Sequence, residues 1–393
     1  MFLERSKNHP LQLTFSFDIS IALLRTSGFD EALGALARHS ERWGRVRFHV
    51  RGSFFKHPAF HNISHRVPAL HTLDIQHTDT NLALQTLGSI PSLRSFHLTI
   101  SNAIPDCIHI PWSQLRSLNL ELCQVVFSMK NFVTLFRGLR WLKLSVSDCR
   151  FDDGEDNPKH HEICDIESLI LDVTPPHPTA VAPVPEPNAT GPFLARMSLP
   201  RLSSLELQGY RPRFESCSWN AQPLFSLLDR SACMITSLSL ILTSISDQQT
   251  VHLLRLMPGL RSLKVVEQAD DPASSPITTP ARNAIVTPHL LGKLVVRGEV
   301  GVAAGAPSPQ ADLVLQLNKL EVSVNSSDLD VDAFYEAVVS RRLPDPNIHG
   351  DGSLRSVRVT FIDPIENIPE SCIALQRLSD EGLHVSIALG NRR

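Results

Sequence analysis

Pro91-Ser-Leu-Arg-Ser-Phe-His-Leu98, Gln114-Leu-Arg-Ser-Leu-Asn-Leu120 and Gly138-Leu-Arg-Trp-Leu-Lys-Leu144 repeat one pattern, an apolar residue followed three and five positions later by two more. The last four residues of the first two alternate polar and apolar, and those of the third do so except at Trp141, the period of a strand with one buried face. Working outward, the triplet recurs as Trp43/Val46/Phe48 and Leu70/Leu73/Ile75 on the N-terminal side. Toward the C-terminus it recurs as Ile166/Leu169/Leu171, Leu202/Leu205/Leu207, Ile235/Leu238/Leu240, Leu260/Leu263/Val265, Leu291/Leu294/Val296, Leu317/Leu320/Val322 and Leu354/Val357/Val359. Leu11, Leu13 and Phe15 alternate in the same way before the first triplet, reading as one more strand.

Twelve such triplets at steps of 22 to 37 residues are the signature of an α/β leucine-rich repeat solenoid, a horseshoe with parallel strands on the concave face and helices or irregular segments outside. The expected organisation is one repeat domain over 1–393, with a strand-helix cap at 1–42 and a closing cap at 360–393. Helix punctuation supports the returns. Ser27 with Asp30 and Ser246 with Gln249 have capping-box spacing, and Pro258 stops the second of these helices. Asn81–Leu87 ends at Gly88 and Met129–Arg137 at Gly138, where a left-handed residue would close a helix. A further helix is expected over Asp332–Arg342, with Phe334 and Val338 one turn apart. Four steps, of 36, 33, 31 and 37 residues, exceed the usual repeat, which runs to about 29. Pro-, Ala- and Gly-rich insertions at 174–200, 270–288 and 301–310 are expected to be mobile loops. The polar position that ends each triplet holds Cys123 and Asn325 but matches poorly elsewhere, so the repeats are degenerate and depend on stacked aliphatics.

Charge excludes several functions. With 37 basic and 40 acidic residues there is neither a polyanion-tracking stripe nor an acidic tail, so no nucleic-acid partner is expected. Seven scattered cysteines without a C-x-x-C pair read as reduced thiols. No apolar stretch reaches the length of a membrane span, and the N-terminus does not resemble a secretory signal. The expected setting is the cytoplasm or nucleus, with no membrane partner, and the expected state is a monomer.

Side chains between the triplet residues point to the opposite, concave face. Its middle column reads Arg47, Asp74, His97, Asn119, Lys143, Ile170, Glu206, Ser239, Lys264, Val295, Glu321 and Arg358, flanked by Arg45, Glu121 and Trp141 among others. Seven of the twelve first-column positions are serine. The candidate partner-binding residues are Arg45, Arg47, Asp74, His97, Asn119, Glu121, Trp141, Lys143, Glu206, Lys264 and Arg358, with Trp141 beside Lys143 as the hot-spot candidate for a protein or peptide. No catalytic motif is present: there is no nucleophile elbow, phosphate-binding loop, dinucleotide turn or H-E-x-x-H helix. The His57, His61 and His65 spacing would put three imidazoles on one helix face, but Pro58 interrupts it. His160, His161, Glu162 and Cys164 form a second loose cluster. No metal or cofactor is assigned to either, and the chain is expected not to be an enzyme.

Leu3-Glu-Arg-Ser6, Pro10-Leu-Gln-Leu13, and His39-Ser-Glu-Arg-Trp43 followed by Val46-Arg-Phe48 resemble the opening of the F-box and leucine-rich-repeat proteins of mushroom-forming fungi. Pro68-Ala-Leu70, Pro91-Ser-Leu93, Pro200-Arg-Leu202 and Pro258-Gly-Leu260 match the family's P-x-L repeat, and Gly382-Leu-His-Val385 resembles its closing strand. The resemblance spans essentially the whole chain. It implies a substrate receptor of a cullin-type ubiquitin ligase, in which an N-terminal F-box module docks onto the ligase adaptor. That module has no counterpart in this sequence, so the alternative expectation is a stand-alone repeat scaffold without a ligase link.

Overall fold

The computed structural model describes residues 2–16, 27–50, 52–61, 63–76, 80–101, 112–123, 126–127, 133–147, 149–151, 161–172, 190–209, 220–243, 245–267, 284–296, 313–342, 353–363 and 370–389. In chain order the strands are β1 (Leu11–Ser16), β2 (Trp43–His49), β3 (Thr72–Gln76), β4 (Ser95–Ser101), β5 (Ser117–Cys123), β6 (Val126–Phe127), β7 (Trp141–Ser147), β8 (Arg150–Phe151) and β9 (Glu162–Ile163). There follow β10 (Ser168–Asp172), β11 (Met197–Ser198), β12 (Ser204–Gln208), β13 (Ser237–Ile241), β14 (Ser262–Val266), β15 (Lys319–Val324), β16 (Ser356–Phe361) and β17 (His384–Leu389). Two short ribbons, β6 with β8 and β9 with β11, stand apart; the other thirteen strands form a parallel sheet paired in sequence order, with helices outside it. Sequence-ordered parallel pairing is what a stack of strand-plus-return units produces, because each strand meets only its neighbours in the chain.

The chain divides into two compact units, 1–169 with 195–198, and 170–194 with 199–393. In both, the triplets make the core. From Trp43 to Leu144 and from Leu202 to Val265, and again from Leu317 to Val359, every triplet residue is exposed by 4 % or less. Each such side chain contributes about 1.5–3 kcal/mol through the area it removes from water. The opposite face of the same strands is half-buried, as in the alternation along β5, β7 and β13.

Neighbouring repeats are joined by a recurring backbone device. The carbonyl of the residue after the first triplet leucine accepts two consecutive N–H groups of the next repeat. In the first unit Arg94 O accepts from the amides of Arg116 and Ser117, and Arg116 O from those of Arg140 and Trp141. In the second unit Thr236, Arg261 and Asn318 play the same part. Both lone pairs of a carbonyl at the strand entrance are thus used, and the register of one strand is set by its predecessor.

Several helices start and stop where their sequence indicates. Ser246 and Gln249 form a reciprocal capping box on helix Asp247–Arg255. Helix Thr80–Leu87 ends at Gly88 with φ +64°, which a residue with a Cβ would adopt only under strain. Asp330 caps helix Val331–Ser340, which buries Phe334 and Val338. Gly138 differs from expectation: its backbone is not left-handed among the positive-φ glycines, and the space is limited instead because a Cβ there would lie 3.2 Å from the Ser113 carbonyl oxygen. The expected helix before it is described only from residue 133 and is a short 3-10 turn, Thr134–Phe136.

One triplet is not a strand. Leu291, Leu294 and Val296 belong to helix Pro288–Leu294 and its C-terminal end, so Val295 and Lys293 leave the sheet face and β14 pairs directly with β15. The local cause is visible. Thr287 accepts a hydrogen bond from the Leu290 amide, Pro288 occupies the first turn, and Leu290, Leu291 and Leu294 share one helical face, all buried. A three-residue apolar spacing fits both a helix and the start of this triplet, and the cap decides between them.

The insertion tracts are described only in part. Residues 174–189, 270–283 and 301–310 lie outside the described residues, but the ends of the first two are built into the fold. Helix Gly191–Arg196 buries Phe193 and Leu194, with Met197 and Leu199 beyond it, and Ile285 and Val286 are buried before helix Pro288–Leu294. The two terminal segments contain β1 with helix Ser27–Arg38, and helix Glu370–Arg377 with β17. An aromatic cluster fills the first unit beside β1, where the rings of Phe15, Phe48, Phe54, Phe55 and Phe60 lie 4.8 to 6.5 Å apart.

Candidate functional site

Strand register brings the first unit's candidate residues into one row. Arg47 pairs in register with Asp74, Asp74 with His97, His97 with Asn119, and Asn119 with Lys143. All project from the open face, because the residues on either side of each in its strand are triplet positions that point into the core.

The row is a chain of charges. Arg47 Nε donates to Asp74 Oδ2 at 2.7 Å. His97 Nδ1 lies 2.9 Å from Asp74 Oδ1 and forms an ion pair with it. On its other side His97 Nε2 is 3.4 Å from Glu121 Oε1, and the Thr99 hydroxyl donates to Glu121 Oε2 at 3.0 Å. The Gln76 side-chain amide is 3.0 Å from His97 Nδ1. Asp74 is only 7 % exposed.

These contacts decide the protonation states. Burial opposes a charged imidazole at His97, but the hydrogen bonds and charges of Asp74 and Glu121 outweigh it and raise His97 to about 9. For Asp74, burial works against the charged form and the neighbouring His97 and Arg47 more than compensate, leaving it below the usual carboxylate range. At Glu121 the hydrogen bond from His97 dominates, with Thr99 and the charge of Lys143 acting in the same direction, and its carboxyl is also lowered. At neutral pH His97 is therefore an imidazolium between two carboxylates. An imidazole held charged at neutral pH, with both nitrogens facing carboxylates, is a poor general base there, and it serves as a cation that ties three adjacent strands together.

Trp141 is half-buried at the start of β7, in register with Ser117, and Lys143 lies two residues on along the same face. Arg45 is exposed on β2, opposite Thr72. Asn119 sits between His97 and Lys143 with its Oδ1 buried and unpartnered.

The second unit carries a separate row, in which Glu206 pairs in register with Ser239, Ser239 with Lys264, Lys264 with Glu321, and Glu321 with Arg358. Glu321 is its centre. Lys319 Nζ is 2.9 Å away and Arg358 Nη1 3.7 Å away, both on Oε1, and the Lys319 contact is the main cause of its lowered pKa. Gln208 donates to Glu206.

The loose histidine clusters do not assemble. His57 Nδ1 accepts from the Ala59 amide while its Nε2 meets Asp30 at 3.0 Å; a 3-10 turn, Pro58–Phe60, separates it from His61; and His65 adopts φ +62°. Near the second cluster, Arg137 pairs with Glu162, His161 Nδ1 lies 3.0 Å from the Ala195 carbonyl, and burial pushes the Cys164 thiol up to about 12, far from a reactive thiolate; His160 lies outside the described residues. Among the described residues no group of three or more His, Cys, Asp or Glu side chains is arranged to hold a metal ion, and no helix is long and apolar enough to cross a membrane.

Alternation alone placed every residue of the first row on this face. It did not single out Gln76 and Thr99, which complete the surroundings of His97 and Glu121; both are the final outward position of their triplets, so the signal was present but unweighted. No protein-family model, curated protein or solved structure matches the chain.

Proposed function

We propose that the chain is a leucine-rich repeat solenoid that acts as a non-catalytic recognition module, with the open sheet face as its protein- or peptide-binding surface and selection of substrates for a ubiquitin ligase as its cellular role. The observation that supports recognition most is the row Arg47, Asp74, His97, Asn119 and Lys143, polar side chains projected in register from a rigid parallel sheet. Binding sites on strands are positioned by backbone pairing and need little ordering when a partner arrives. Trp141 beside Lys143 supplies the apolar contact that such interfaces concentrate near their centres. The ligase role is supported by the sequence resemblance over Leu3–Ser6, His39–Trp43 and the P-x-L repeats.

Affinity capture from the native source tests both parts. Trp141→Ala combined with Lys143→Glu is expected to leave folding intact and to reduce recovery of a partner about tenfold or more. Unchanged recovery of every captured partner would reject the surface. Co-purification of a cullin adaptor supports the ligase role, whereas capture of other partners without any adaptor favours a stand-alone scaffold.

A further inference from the structure

The first unit's open face has an unequal charge inventory once its internal pairs are counted. On β2 to β5 and β7 the described outward side chains include four cationic groups, Arg45, Arg47, His97 and Lys143, against two carboxylates, Asp74 and Glu121. Both carboxylates are already occupied, Asp74 by Arg47 Nε and His97, and Glu121 by His97 and Thr99. The cations are not used up to the same degree. Arg47 engages Asp74 through Nε alone, and its side chain remains 54 % exposed. Arg45, two residues earlier on the same strand and face, is exposed. Lys143 lies at the far end of the row, where it acts on Glu121 only through its charge. The face thus presents positive charge at its two ends and a neutralised centre.

The spacing of those ends specifies a ligand. Arg47 and Lys143 are four strand steps apart in one register row. At roughly 4.8 Å per step this is about 19 Å, which an extended peptide at about 3.3 Å per residue covers in roughly six residues. Trp141 adjoins the Lys143 end on the same face. We infer that the open face of β2 to β5 and β7 takes an extended acidic peptide laid across the strands, with two carboxylate side chains about six positions apart meeting the Arg45/Arg47 pair and Lys143, and an apolar side chain against Trp141. The inference rests on the reading of this face as the recognition surface and adds the chemical class of its partner.

Labelled synthetic peptides containing two glutamates at separations from about three to about nine residues, in an otherwise neutral background with one leucine, probe the geometry in a fluorescence anisotropy titration of the full chain. Binding is expected to be tightest near a separation of six, to weaken about tenfold or more in the Arg45→Glu, Lys143→Glu double variant, and to fall as salt is raised through about 0.5 M. The milder Arg45→Gln, Lys143→Gln variant, checked by its circular dichroism melt, guards against a folding defect in the first. Equal affinity for lysine-substituted and glutamate peptides, or affinity indifferent to both variants, would overturn the acidic assignment. If neutral peptides bind and Trp141→Ala alone abolishes it, the acidic class fails and the recognition reading stands; if no peptide binds at this face, both fail. Tighter binding of a single-stranded oligonucleotide than of every acidic peptide, lost in the same variants, would also overturn it.

Discussion

The Asp74 cluster of the first unit and the Glu321 cluster of the second occupy equivalent columns of their strands, yet they differ in kind. Asp74 is nearly buried and lies between an arginine on one strand and a histidine on the next, and that histidine reaches a second carboxylate a further strand away. Glu321, itself largely sheltered, meets Lys319 on its own strand, Arg358 on the next and the charge of Lys264 on the strand before, and it reaches no second carboxylate through a histidine. The same column therefore holds a chain of charges linked through His97 to a second carboxylate in one unit, and a single carboxylate among cations in the other. Position in the repeat decides that a side chain faces outward; the partners on adjacent strands decide whether it is structural or only solvated.

The largest contrast is expected from truncation. Asp74→Ala removes the carboxylate that Arg47 and His97 share, leaving Glu121 as the counter-ion of His97, and should cost about 3 kcal/mol in denaturant unfolding, with faster amide exchange on β2 to β5. A loss below about 1 kcal/mol would place Asp74 in the same class as Glu321.

Titration should give the next largest effect. His97 is raised from 6.5 to about 9, so the stability it contributes is complete below the unfolded value and is lost as pH climbs through about 9. The loss should amount to about 2 kcal/mol and should vanish in His97→Gln, whereas a flat stability between neutral pH and pH 10, about one unit past the folded value, would contradict the imidazolium assignment. Asp74 and Glu121 act with the opposite sign, since their lowered carboxyls contribute above the ordinary carboxylate range and lose that contribution as pH falls through their folded values. The first unit should accordingly be most stable between the ordinary carboxylate range and about pH 6.5, and already be weakening at neutral pH.

A double-mutant cycle on Arg47 and Asp74 sharpens the comparison further, with an expected coupling of about 1–2 kcal/mol that persists in salt because Asp74 is sheltered. The smallest effect is expected at Glu321→Ala, about 0.5 kcal/mol or less and erased by high salt. A larger loss there would show that the Glu321 cluster also bears on folding.

The legible and illegible parts of the chain separate along physical lines. Eleven of the twelve triplets, together with Leu11–Phe15 and the closing strand around Val385, correspond to strands of the thirteen-stranded sheet. The twelfth, Leu291/Leu294/Val296, shows where the rule fails: its spacing is shared by helix and strand, and Thr287 with Pro288 tips it to helix. Once that triplet leaves the sheet, Lys264 meets Glu321 with no residue between them, a neighbour relation that counting along the chain misplaces by one repeat. Arg341 was equally hidden. It follows an ordinary helix, yet it is 5 % exposed and donates to the carbonyl oxygens of Leu294, Val314 and Leu313. Nothing local announces this, because the three acceptors lie 27 to 47 residues away.

What the amino-acid order determined by itself was local: the two-residue period that sorts side chains to opposite faces, and the caps that start and stop the returns. These follow from sterics and hydrogen bonds among residues a few positions apart. What only the tertiary structure decided was the company each outward side chain keeps. Asp74, His97 and Glu121 come from three repeats, and whether they form an ion-paired chain depends on strand register and on how far burial raises the cost of leaving a charge alone.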